Sequence, residues 1–216
     1  MALPPTSGIL PHKNRIYVMK TRDTKLSTFA QIRELASPND IVFGCALMQR
    51  MLPNYQLFSQ SNDFGDPAAA QATLNLIWEW CMSPKNKFNA PVQLEKLEEI
   101  IPDVDNFDSF GVYPALDYCM ALSSMLLNFS NEHETVAVTI AKLSQGSVEA
   151  FILATAEEEL DSQQIKQDPL MQYEIETQLS LLEYCRTNKI TKEFVKDLRD
   201  DIVAQGLSNL GLSVEL

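Results

Sequence analysis

The chain reads as all-α, one compact domain of about eight helices around a buried central helix. Three observations predict this. Apolar residues recur at three- and four-residue steps along most of the length. Only 7 of the 216 residues are glycine, too few for a fold built on tight strand-to-strand turns. A capping residue followed by proline stands at Ser37-Pro38, Asp66-Pro67 and Asp168-Pro169, and that pair suits a helix start.

The elements follow in order. Residues 1–24 are rich in Pro, Ser, Thr and basic residues and read as an extended N-terminal arm. Ile16–Met19 is β-like, as is the tail, 212–216, so these two could pair as short strands. The helical domain is expected over 25–211. Lys25 to Ala36 carries Leu26, Phe29, Ile32 and Leu35 as a first stripe. Ser37 can cap the next helix, with Pro38 in its first turn and Asp40 completing the cap. That helix holds Ile41, Phe43, Ala46, Leu47 and Met51 until Pro53 ends or kinks it. Asp66 caps a helix through Leu74, Ile77, Trp78 and Cys81. Pro91 opens one whose Leu94, Leu97, Ile100 and Ile101 face inward, and Pro102 stops it.

Phe107–Phe129 is the expected centre. It breaks at Gly111, restarts with Pro114 and runs apolar on almost every side, with Asp117 as its one acid past the restart. A helix hydrophobic all round belongs inside a protein. Asn131 and Glu134 form a capping-box pattern for a long helix to about Glu159. Asp161–Gln167 reads as a short helix. Met171, Ile175, Leu179, Leu182 and Cys185 follow Asp168-Pro169. Thr191 caps a last helix that Gly206 ends.

Charge narrows the function. The net charge is −12, and Pro91–Phe110 and Glu157–Glu176 hold most of it. Such surfaces repel phosphate backbones, so nucleic acid is not an expected partner. They keep a protein soluble, or they dock a basic protein. Cys45, Cys81, Cys119 and Cys185 sit singly in apolar helical runs, which fits buried thiols in a reducing cytoplasm. No run of about 18 uncharged apolar residues exists to span a bilayer, so no membrane is expected.

The strong catalytic motifs are missing. There is no glycine-rich phosphate loop and no Cys-x-x-Cys. The two histidines, His12 and His133, write no Glu-x-x-His, which removes the usual di-iron bundle. No catalytic residue, metal or cofactor is assigned. Asp117 is the softer candidate, because a buried carboxylate must be paired, hydrogen-bonded or protonated. It is either structural or a ligand-binding acid with Tyr113, and with Tyr55 near the break before the central helix. Trp78 aligns with the core stripe. Trp80, on another face, is the candidate interface anchor.

Several stretches carry a resemblance. Cys45-Ala46-Leu47 with Arg50-Met51, Pro53-Asn54-Tyr55, Phe64-Gly65-Asp66, Leu76-Ile77-Trp78-Glu79, Gly111-Val112-Tyr113-Pro114-Ala115 with Asp117, and Ser208-Asn209 with Gly211 resemble the YjaG family of bacterial proteins, a family of unknown function. The resemblance implies a helical, cytoplasmic protein and supplies no catalytic residues. The expected activity is therefore non-enzymatic, through a protein–protein interface, with a homodimer or a basic protein as partner. The alternative is a small-molecule-binding protein or enzyme with a pocket near Tyr113 and Asp117.

Overall fold

The computed structural model describes residues 26–130 and 136–213. Among them there are nine α-helices: α1 Thr28–Ile32, α2 Asn39–Asn62, α3 Pro67–Met82, α4 Ala90–Glu98, α5 Val112–Ser130, α6 Val136–Thr155, α7 Ser162–Gln167, α8 Pro169–Thr187 and α9 Lys192–Gln205. The expected arm, residues 1–24, and the Asn131–Glu134 capping box lie outside the described residues, as does the Ile16–Met19 run. In the tail, Ser213 makes an isolated antiparallel bridge to Leu207.

The starts were written in local chemistry. Asp66 accepts from the Ala69 N–H at 2.9 Å. Asp168 accepts from Leu170 N–H, and Thr191 from Phe194 N–H. Asp161 and Gln164 cap α7 reciprocally, each satisfying a backbone donor that a helix end leaves orphaned. Gly206 ends α9 in the left-handed region at φ 60°, where a Cβ would be penalised. The second helix departs from its expected cap. Pro38 precedes it without a side-chain cap bond, and Ser37 plays no part; Asp40 accepts from Ile41 N–H instead. That helix also runs through Pro53 to Asn62 rather than ending there.

The buried central helix is α2, not the segment beginning at Tyr113. Sixteen of its 24 residues are buried, and α3, α5, α6, α8 and α9 all pack on it. Helix α5 covers α2 on one side and shows water its other side, where Tyr113 is 52% and Met120 45% exposed. The reason is compositional. The Ile41–Leu52 run is apolar on every face except for Gln49 and Arg50, and each of those has a buried partner. Gln49 accepts from the Trp78 indole at 3.1 Å. Three of the most exposed residues of α5, Tyr113, Met120 and Leu127, are apolar too, but nothing described covers them. Gly44 brings α2 close to its neighbours: a Cβ there would meet Met125 Cε at 2.7 Å and Ile140 Cδ1 at 3.0 Å. At about 1.5–3 kcal/mol for each fully buried large aliphatic or Phe, this helix supplies much of the apolar core.

One described helix, α6, is long and apolar enough to cross a membrane by length and composition. Half of that stretch is buried inside the fold, against α2, α5 and α8.

Candidate functional site

Two places carry the polar chemistry of this fold: an open groove and a sealed polar centre. The groove runs between α5 and α6 and encloses about 490 Å³. Its walls are Tyr113, Leu116 and Asp117 from α5, and Thr139, Lys142, Leu143, Gly146 and Ala150 from α6. The steps of three and four place these residues on one side of each helix. Gly146 leaves the groove open, since nothing lies within 4 Å of where its Cβ would be.

Asp117 is half-buried in this groove, not fully enclosed as a segment wrapped on all sides would require. Burial raises its carboxyl above the ordinary value, and the Ser147 hydroxyl, which donates to Oδ2 at 2.6 Å, pulls it part of the way back. The Ser147 hydroxyl is also within hydrogen-bond distance of the Leu143 carbonyl, at 3.1 Å. Tyr113 shares the groove, its ring 5.9 Å from Phe110. Lys142 reaches over the Phe29 ring, at 5.8 Å.

Tyr55 is elsewhere. It is wholly buried, donates to the Ile100 carbonyl at 3.0 Å and accepts from Asp66 N–H at 3.3 Å. It ties α2 to the ends of α3 and α4, and burial pushes its phenol up to about 12. Trp80 is only partly exposed. It stands edge-on to Phe129 at 5.0 Å, and Phe129 in turn meets Phe88 at 5.0 Å. So the structure brings Tyr113 and Asp117 together and leaves Tyr55 and Trp80 apart from them.

The sealed centre was not foreseen. Arg50 on α2 pairs with Glu174 on α8 at 2.6 Å, with side chains 4% and 0% exposed. Glu174 also accepts from the Ser144 hydroxyl at 2.7 Å and from the Gln178 amide at 2.7 Å. Asn209, past the end of α9, donates to the Ser144 carbonyl and hydroxyl and accepts from Asn54 at 2.8 Å. Its own N–H reaches the Arg50 carbonyl at 3.1 Å. A buried charge survives only with such partners. The signal was present in the sequence: Arg50 is a lone charge in an apolar run, as Asp117 is. Glu174 and Gln178 also fall on the core side of α8, beside Met171, Leu181 and Cys185.

The acids at 157–159 lie beyond the end of α6, which stops at Thr155. They stand in the linker to α7. Among the described residues no group of three or more His, Cys, Asp or Glu could hold a metal ion.

Fold and site together define a single-domain helical protein with a closed polar core and one face left apolar. The chain belongs to the family described as "Protein of unknown function (DUF416)", which matches residues 27–213. It is 37% identical over 186 residues to "Uncharacterized protein YjaG" of Escherichia coli (strain K12), covering 84% of this chain and 94% of that protein. A Haemophilus influenzae protein is 35% identical over 187 residues, again covering 84% of this chain and 94% of the other. The crystal structure of a DUF416 family protein from Shewanella baltica OS155 superimposes with a TM-score of 0.83 at 42% identity. It covers 88% of this chain and 100% of that one. The resemblance carried by the sequence motifs is thus a family membership, and the all-α fold is shared with a solved relative.

Proposed function

We propose that this chain is a non-enzymatic cytoplasmic protein that works by holding another protein on the outer face of α5 and α6. One observation carries the reading. Of the eight large hydrophobic side chains exposed among the described residues, four lie on these two adjacent helices: Tyr113, Met120 and Leu127 on α5, and Leu153 on α6. The others are distributed over α2, α4 and α9 and the segment before α1. Single exposed apolar residues are normal on any surface, whereas a contiguous patch marks an interaction site. The face is also poor in charge, with Asp117 alone on α5 and Lys142 and Glu149 on α6. Charge depletion is the compositional mark of an interface core. The cytoplasmic assignment is supported by four free, buried cysteines, which fit a reducing compartment.

The test is site-specific photo-crosslinking in living cells. A crosslinker in place of Met120 or Leu127 is expected to yield a protein adduct, and one in place of the exposed Glu193 on α9 is not. If neither position on α5 gives an adduct, the face is bare and the reading fails.

A second reading is favoured by the half-buried carboxyl in the groove: a small cationic ligand held by Asp117 against the Tyr113 ring. It expects small amines to raise the melting temperature of the wild type and not of Asp117→Asn. Equal shifts in both proteins would dismiss it.

A further inference from the structure

The occupant of the α5–α6 face can be narrowed by charge, given the docking reading above, on which this inference rests. Asp117 stands on the α5 wall of the groove and Lys142 on the α6 wall. Their signs are opposite, and they do not satisfy each other. Among the described residues the ion pairs are Arg50–Glu174 and Arg186–Glu34. Asp117 is held by the Ser147 hydroxyl, and Lys142 is held over the Phe29 ring.

A strongly basic partner would set its charge against Lys142, and a strongly acidic one against Asp117. A surface carrying both signs on its two walls is matched best by itself. In a two-fold contact, residue i meets residue j and j meets i, so one patch supplies two ion pairs. The rest of the molecule agrees. At net charge −12 two copies repel, and the charge-poor outer faces of α5 and α6 are where approach costs least. Glu149, the third charge on these helices, lies outside the groove's lining. Shape adds to this. The open space above Gly146 and the small Ala150 and Thr139 leave room for side chains that stand out from α5, such as Met120.

We propose that a second copy of this chain covers the α5–α6 face about a two-fold axis, with Asp117 of each copy paired to Lys142 of the other.

Sedimentation velocity and light scattering on the full chain test it. The wild type is expected at twice 24.3 kDa. Met120→Glu is expected as a monomer with an unchanged helical spectrum and a cooperative thermal transition, its midpoint lowered only by the stabilisation that association gives the wild type. Lys142→Glu makes both walls acidic and Asp117→Lys makes both basic. Each is expected to weaken self-association by about tenfold or more, since two pairs become two repulsions, and mixing the two variants is expected to restore a dimer. Should Asp117→Lys unfold, Lys142→Glu and Met120→Glu decide alone. A monomeric wild type whose position-120 crosslinker captures a different protein overturns the second-copy proposal and leaves the docking reading standing. A dimer that Met120→Glu and Lys142→Glu both leave intact places self-association on another face and also overturns it.

Discussion

Tyr55 shows how one side chain can join three segments. Its hydroxyl donates to Ile100 and accepts from Asp66, while its ring lies 5.7 Å from that of Tyr118. Gly65 sits directly over it, at φ 77°, where an added Cβ would strike the Tyr55 hydroxyl. Tyr55→Phe keeps the ring and removes both bonds. Leaving the Ile100 carbonyl and the Asp66 N–H without that partner is expected to cost about 1–3 kcal/mol near neutral pH. The pH dependence has a definite sign. The phenol is raised from 10.0 to about 12 in the fold, so its contribution is complete below pH 10 and is lost as pH rises toward 12. The gap between wild type and Tyr55→Phe should therefore narrow above pH 10, as read from urea melts at a series of pH values. A gap that stays constant through that range would show the phenol to be solvated, with the same pKa folded and unfolded. Proximity along a motif does not say which way a ring points, so the sequence leaves Tyr55 a possible ligand-binding residue; burial and two backbone partners give it a tying role.

At the scale of elements, what sequence could show was local. The caps at Asp66, Asp161, Asp168 and Thr191 and the stop at Gly206 use bonds between residues two to four apart, so they are legible in a string. Trp78 was legible as core for the same reason, from its spacing with Leu74 and Cys81. The identity of the central helix was not. It depends on which of two apolar helices the others choose to cover, and Arg50 and Pro53 disguised α2 as the lesser one. The Arg50–Glu174 pair closes 124 residues apart, beyond any local rule. Its energetics can be checked as a cycle. Arg50→Ala strands a buried carboxylate and is expected to cost about 3–5 kcal/mol, while Arg50→Met with Glu174→Met is expected to cost much less than the sum of the two single changes. Additive losses in urea unfolding would mean that the two charges do not sense each other.

The whole molecule is closed by its last described residues. After α9 the chain turns back so that Asn209, with no exposure, enters the space between α2 and α6. There it bonds to Asn54, Ser144 and the Arg50 backbone. Leu210 joins a second apolar cluster with Val148, Ile152, Ile165 and Met171, so one short turn completes both the polar centre and the smaller core. The sequence marked Ser208-Asn209 with Gly211 as a family feature, yet nothing local explained it, because the partners are 65 to 159 positions away along the chain. The turn has a local logic of its own: Gly211 takes φ 71°, and the Ser208 hydroxyl accepts from Leu210 and Leu212 N–H groups. Ending the chain after Gly206 leaves the helices intact in sequence but strips Asn54, Ser144 and Arg50 of these bonds. Each buried group so orphaned costs about 1–3 kcal/mol, against a total stability of only about 5–15 kcal/mol for a typical domain. The truncated chain is therefore expected to lose its cooperative thermal transition. Asn209→Ala, which keeps the turn and Leu210, is expected to retain that transition at a clearly lower midpoint. Calorimetry of the three proteins orders them as wild type, then Asn209→Ala, then the truncated chain. A truncated chain that melts like the wild type would show that the polar centre holds without this plug.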